Sequence, residues 1–100
     1  MLDLDRVEAF EWDESNARKS VARHGVTAAE AEQIFFDEHV LVTNDLAHSA
    51  NEPRFHALGQ TEAGRSLHVT FTLRYDGKRI RVISARDMNR KERKVYAEKA

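Results

Sequence analysis

Leu67-His-Val-Thr-Phe-Thr-Leu-Arg-Tyr75, then Asp76-Gly77, then Lys78-Arg-Ile-Arg-Val-Ile-Ser-Ala85 is the stretch that decides the fold. Two β-branched and aromatic runs separated by Asp-Gly predict a hairpin, because a type I′ turn needs φ > 0 at both central residues. The turn fixes a register: Tyr75 opposite Lys78, Arg74 opposite Arg79, Leu73 opposite Ile80, Thr72 opposite Arg81 and Phe71 opposite Val82. Side chains alternate along a strand, so Leu67, Val69, Phe71 and Leu73 share a core side with Ile80 and Val82. Thr70, Thr72, Arg74, Arg79 and Arg81 fall on the other face.

Working outward, Phe55 to Gln60 reads as a strand preceding the hairpin, and Val40 to Thr43 as a shorter one before it. Asp45 to Glu52, ahead of the sole proline at Pro53, is the longest expected loop. Near the start, Arg6 to Trp12 reads as a strand with Phe10 and Trp12 on one side. Asp13 is an expected N-cap and Gly25 an expected C′ residue for a helix running to Arg23, with Ala17, Val21 and His24 as its buried stripe. Thr27-Ala-Ala-Glu30 has the form of a capping box and opens a second helix with Ala28, Ala31, Ile34 and Phe35 on one face. Asn89-Arg-Lys-Glu92 is another capping box, starting a C-terminal helix that looks thinly anchored, with little more than Val95, Tyr96 and Ala97 as apolar content. Strand, helix, helix, four strands and a helix argue for a single α+β domain over residues 1–100, with an antiparallel meander and helices mainly on one face.

One hundred residues leave no room for a second core. The chain has no cysteine, which rules out disulfides and thiolate-bound zinc and fits a reducing, cytoplasmic location. No apolar run approaches a membrane span, and the opening residues do not read as a signal peptide. The net charge of −1 hides a division. Residues 1–53 carry four Lys/Arg against twelve Asp/Glu, whereas residues 54–100 carry twelve against five. Such asymmetry suggests a nucleic acid or an acidic protein as partner, unless the halves simply neutralise each other in the fold.

Directly opposed arginines at 74 and 79 repel, by up to about 1 kcal/mol. A face of this kind gains when an anion binds, since guanidinium forks match phosphate oxygens two at a time. Otherwise the arginines splay into water. His56 and His68 would flank that face and could move protons near neutral pH, but the turn over 61–65 leaves their direction open. No metal-ligand spacing, Gly-rich phosphate loop or nucleophile elbow is present, so neither a metal nor another cofactor is expected.

Phe10-Glu-Trp-Asp13, Arg23-His-Gly-Val26, Glu30-Ala31, Phe35-Phe-Asp37, Glu52-x-Arg54-Phe55, Gly59, Gly64-Arg65-x-Leu67, Thr72-x-Arg74, Ile80 to Arg86 and Glu92-Arg93-x-x-Tyr96 occur in this order. That ordered set resembles the BrnT toxin family over nearly the whole chain. Arg23 departs from it, since lysine is commoner there. The resemblance implies a RelE-like fold and a type II toxin that cleaves RNA and inhibits translation. It also implies neutralisation by a BrnA-type ribbon–helix–helix antitoxin, with operator DNA bound only through the toxin–antitoxin complex.

RNA can be cut by its own 2′-OH, so the protein need only align the attack and stabilise the charged transition state. On that basis Arg81 and Arg86, with Arg65, are expected to clamp the scissile phosphate. Glu52 is the expected base or orienting carboxylate. Arg54, Thr72, Arg74, Arg79, His56 and His68 are expected to contact the RNA. The competing readings are a basic binding module without catalysis and a degenerate toxin that keeps only its antitoxin.

Overall fold

The computed structural model describes residues 4–45, 47 and 52–99. Most of the expected loop at 45–52 therefore lies outside the described residues. The chain runs through a 3₁₀ turn (Leu4–Arg6), β1 (Ala9–Trp12), α1 (Glu14–His24), α2 (Ala28–Gln33), a second 3₁₀ turn (Ile34–Phe36), β2 (Leu41–Asn44), β3 (Phe55–Gln60), β4 (Ser66–Arg74), β5 (Arg79–Asp87) and α3 (Arg90–Lys99). This is the α+β architecture expected. The first strand is shorter than Arg6 to Trp12, because residues 4–6 form a 3₁₀ turn.

The five strands make one sheet in the order β1-β5-β4-β3-β2. β2, β3, β4 and β5 form the antiparallel meander. β1 joins its far edge in parallel with β5, setting Glu11 beside Arg81 and Trp12 beside Val82. The hairpin register is the expected one from Phe71↔Val82 to Arg74↔Arg79. Asp76 and Gly77 have φ of 60° and 86°, and Lys78 N–H closes the turn onto the Tyr75 carbonyl at 3.2 Å.

Beyond Phe71 the regular alternation breaks. Val82 faces Phe71 but Ser84 faces Thr70, so Ile83 is an extra residue in β5. Two residues opposing one make a β-bulge, and everything after it changes face relative to an unbroken strand. Arg86 therefore stands opposite His68, on the same side as Arg81 opposite Thr72.

Helices α1 and α2 cover the other side. Asp13 Oδ1 accepts from the N–H groups of Ser15 (2.8 Å) and Asn16 (3.3 Å), and Gly25 ends α1 at φ 63°. The stripe of α1 that faces the sheet is not the one expected, since Val21 is 51% exposed and Ser20 is buried. The reason is the sheet edge. β1 ends opposite Val82, so below that point α1 lies along β5, and the Ser20 hydroxyl accepts the Ala85 N–H at 3.3 Å. Burying that amide without a partner would cost about as much as a lost hydrogen bond. Both sides of the Thr27–Glu30 capping box form.

Under the helices, Val26, Ala31, Ile34, Leu67, Val69, Phe71, Ile80, Val82 and Ala85 form the buried core. Each larger aliphatic or aromatic side chain there contributes roughly 1.5–3 kcal/mol. Phe35 meets Phe71 edge-on at 5.1 Å, and Phe55 stacks on Phe71 at 5.4 Å. Gly59 allows the closest approach: a Cβ there would sit 2.9 Å from Ile34 Cβ and 3.0 Å from the Ile34 carbonyl oxygen. Gly59→Ala should therefore destabilise the fold by about 1–3 kcal/mol through overpacking, read as a lower urea midpoint with an unchanged slope.

Candidate functional site

The face away from α1 and α2 carries the arginines. In pairs across the strands it presents Glu11 beside Arg81 and Thr72, Arg79 beside Arg74, Thr43 beside His56, Thr70 and Ser84, and Leu58 beside His68 and Arg86. Each of the four arginines is held by a carboxylate. Arg81 reaches Glu11 (3.3 Å) and Asp13 (3.6 Å), Arg79 reaches Glu11 (3.5 Å), and Arg74 reaches Glu52 (3.5 Å). Arg86 grips both oxygens of Glu92, at 2.8 and 2.9 Å. The Arg79 guanidinium also lies 4.7 Å from the centre of the Tyr75 ring. The repulsion expected between Arg74 and Arg79 is thus offset by a separate carboxylate on each and by a cation–π contact.

Glu52 joins this face by way of Arg74, rather than closing on its neighbour Arg54. Arg54 is half-buried ahead of β3, where its carbonyl accepts the Asp45 N–H. His56 bridges Thr70 Oγ1 (3.0 Å) and Asp45 Oδ2 (2.9 Å) through its two ring nitrogens. Its ring stands 4.7 Å from that of His68.

Of the other expected RNA contacts and clamps, two are covered on this face and one lies on the other side of the sheet. Thr72 has 0% exposure and donates its hydroxyl to the Pro53 carbonyl, so it anchors the chain ahead of β3 and cannot touch a ligand in this state. His68, 8% exposed, lies beneath α3 with Glu92 3.7 Å away. Arg65 is on the helix side of the sheet. Its guanidinium donates to both Asp87 oxygens (2.8 and 3.0 Å), to Glu30 (3.1 Å) and to the carbonyls of Gly25 (2.9 Å) and His24 (3.1 Å). Those carbonyls are ones the end of α1 leaves without helical partners, which makes Arg65 a structural clasp.

Glu11, Asp13, Asp45 and Glu92 also belong to the site, a role the sequence does not announce for them, since Asp13 and Glu92 are expected only as helix caps. Strand alternation puts Glu11 opposite in direction to Phe10 and Trp12, which was a usable signal for its face. Its arginine partners depended on β1 joining β5, which the sequence does not announce.

α3 is better anchored than its composition suggests. Glu92 completes the capping box with Asn89 (2.9 and 2.8 Å) while it holds Arg86. Tyr96 is buried and donates to Asp37 at 2.5 Å. Burial, with the Asp37 carboxylate, pushes the Tyr96 phenol up to about 12.

Burial, and then the nearby Arg86 cation, push His68 down to about 4. Burial opposes ionisation of Glu92, but the Arg86 guanidinium and the Asn89 N–H outweigh it and hold the carboxyl at about 2. The signs agree. From about pH 6.5 down to 4 the unfolded chain takes up a proton at His68 that the folded chain refuses, so stability falls with acid. From about pH 4.5 down to 2 Glu92 does the same. The first step should be on the order of 2 kcal/mol, and His68→Gln should flatten it, as measured by urea midpoints at pH 7 and 4.5.

No helix among the described residues is long and apolar enough to cross a membrane. No curated protein matches the chain. The crystal structure of the Brucella abortus ribonuclease toxin BrnT superposes with a TM-score of 0.64 at 22% identity, covering 84% of this chain and all of that one. The likeness establishes a common fold. The family model for the ribonuclease toxin BrnT of type II toxin–antitoxin systems matches residues 12–92, a span that includes Arg74, Arg79, Arg81 and Arg86. The chain belongs to the BrnT family of ribonuclease toxins of type II toxin–antitoxin systems.

Proposed function

We propose that the arginine face binds RNA and cuts it without a metal ion, inhibiting translation in the cytoplasm. The observation that carries this is the bulge at Ile83, which brings Arg86 onto one face with Arg74, Arg79 and Arg81. In the proposed reaction the 2′-oxygen attacks the adjacent phosphorus and the bond to the 5′-oxygen breaks. The products are a 2′,3′-cyclic phosphate and a 5′-hydroxyl. The extra negative charge on the phosphorane falls to Arg81 and Arg86, and Arg74 and Arg79 follow the neighbouring phosphates. Glu52, half-exposed on the same face, takes the 2′-proton, and solvent water supplies the proton that the departing 5′-oxygen takes up. His56, with both nitrogens engaged, positions the floor of the site.

The carboxylates pre-orient the guanidiniums, and an RNA phosphate competes with them for the donors that remain. A type II toxin has an antitoxin partner, which we take to be BrnA-type. An acidic segment of it laid over the same arginines would block RNA, and operator DNA would be met only through that complex.

Purified protein incubated with RNA in EDTA should yield discrete fragments ending in cyclic phosphate. Tight, salt-sensitive RNA binding with no fragments would instead support the binding-only reading. Growth arrest that persists in a variant unable to cut RNA would count against translation inhibition by cleavage.

A further inference from the structure

Beside the bulge that turns Arg86 lies a cleft of about 190 Å³ between α1 and β5, lined among others by Lys19, Arg23, His24, Ile83 and Ser84. None of its lining residues is acidic. Lys19 and Arg23 are exposed, one turn apart on α1, and neither makes an ion pair among the described residues. The sheet arginines contrast with them, each being held by a carboxylate. The negative end of α1 would ordinarily oppose an anion here. Arg65 compensates it by taking the His24 and Gly25 carbonyls, and it also engages the nearby Asp87 carboxylate. Ser84 stands opposite Thr70, on the arginine face, so the cleft opens directly off the proposed cutting surface. Ser84 lies two rungs along the ladder from Arg81 (Thr70 against Thr72), roughly 7 Å at strand spacing, and the cleft is offset toward α1, which suits a neighbouring phosphate.

We infer that this cleft is a second phosphate subsite, in which Lys19 and Arg23 hold a phosphodiester of single-stranded RNA flanking the one at Arg81. The inference rests on the RNA reading of the sheet face. It makes the α1 edge of the sheet the path along which the strand leaves the site. The proposed subsite uses cations with no protein carboxylate to displace, so it supplies affinity that the paired arginines do not.

The test is binding of a non-cleavable, fully 2′-O-methylated RNA oligonucleotide to the whole protein across a salt series. Each phosphate contact to a single strand contributes about 0.7 to the slope of log K against log salt. The double variant Lys19→Ala/Arg23→Ala should lower that slope by about 0.7, the share of one phosphate, and Arg23→Lys should retain the wild-type slope. Lys94→Ala/Lys99→Ala, which removes the same charge from exposed positions on α3, should leave the slope as it is. An unchanged slope in the first double variant, or an equal drop in the α3 control, would overturn the subsite. If the wild type shows the predicted slopes yet leaves unmodified RNA intact, the ribonuclease reading fails while the subsite stands.

Discussion

Arg81→Ala is expected to lower RNA cleavage about 10²–10³-fold in kcat while leaving the protein folded, because removing one preorganised donor to a developing oxyanion typically has that effect. Arg81 occupies the middle of the face. It has Thr72 on one side and Glu11 on the other, with 27% of its side chain exposed and carboxylates at 3.3 and 3.6 Å fixing its direction. Those ion pairs are partly solvated, so their loss costs the fold little. Single-turnover cleavage and a thermal melt on the same sample separate the two effects. Arg81→Lys should recover only part of the rate, since an ammonium cannot present two parallel donors to phosphate oxygens. Cleavage that survives Arg81→Ala at wild-type kcat would move the chemistry off this part of the face.

Arg65→Ala should behave in the opposite way. Its guanidinium ties together α1, the start of α2, the turn before β4 and the end of β5 through Gly25, Glu30 and Asp87. Hydrogen bonds to charged groups contribute about 1.5–3 kcal/mol each, less where water reaches them. With a side chain 29% exposed, a net loss of roughly 2–4 kcal/mol is reasonable for the set. For a domain of this size that is a fall in Tm of roughly 10–25 °C. Activity lost in this variant should return on cooling or with a stabilising osmolyte, which a missing catalytic group would not allow. Arg65→Lys should restore only a minor share, because one ammonium cannot serve two carbonyls and two carboxylates at once.

These two arginines show how far local sequence rules reach. Arg81 lies on the face that a two-residue turn and strict alternation predict, both settled within about ten residues of chain. Arg65 is expected at the phosphate from its place at the start of the adjacent strand. Its five donors are taken by groups that α1, α2 and β5 bring together only after folding. Thr72 shows the limit of face assignment. Alternation put it on the right side of the sheet, but the backbone at Pro53 covers it. The buried stripe of α1 differs from the expected one for a related reason: apolar spacing favours Val21, whereas an otherwise unpaired strand amide selects Ser20.

Taken by itself, the sequence determined the hairpin and its register, the capping boxes, the α+β order and the presence of an arginine-bearing face, because each follows from short-range sterics and hydrogen bonding. Tertiary structure decided that β1 lies parallel to β5, which gave Arg79 and Arg81 their carboxylates. It also decided that one residue, Ile83, bulges out of β5. Arg81 and Arg86 are an odd number of residues apart and would face opposite ways along a regular strand. A bulge costs one unpaired residue and has no fixed sequence signature, so only the packing of both ends of β5, against β1 above and α1 below, could select it.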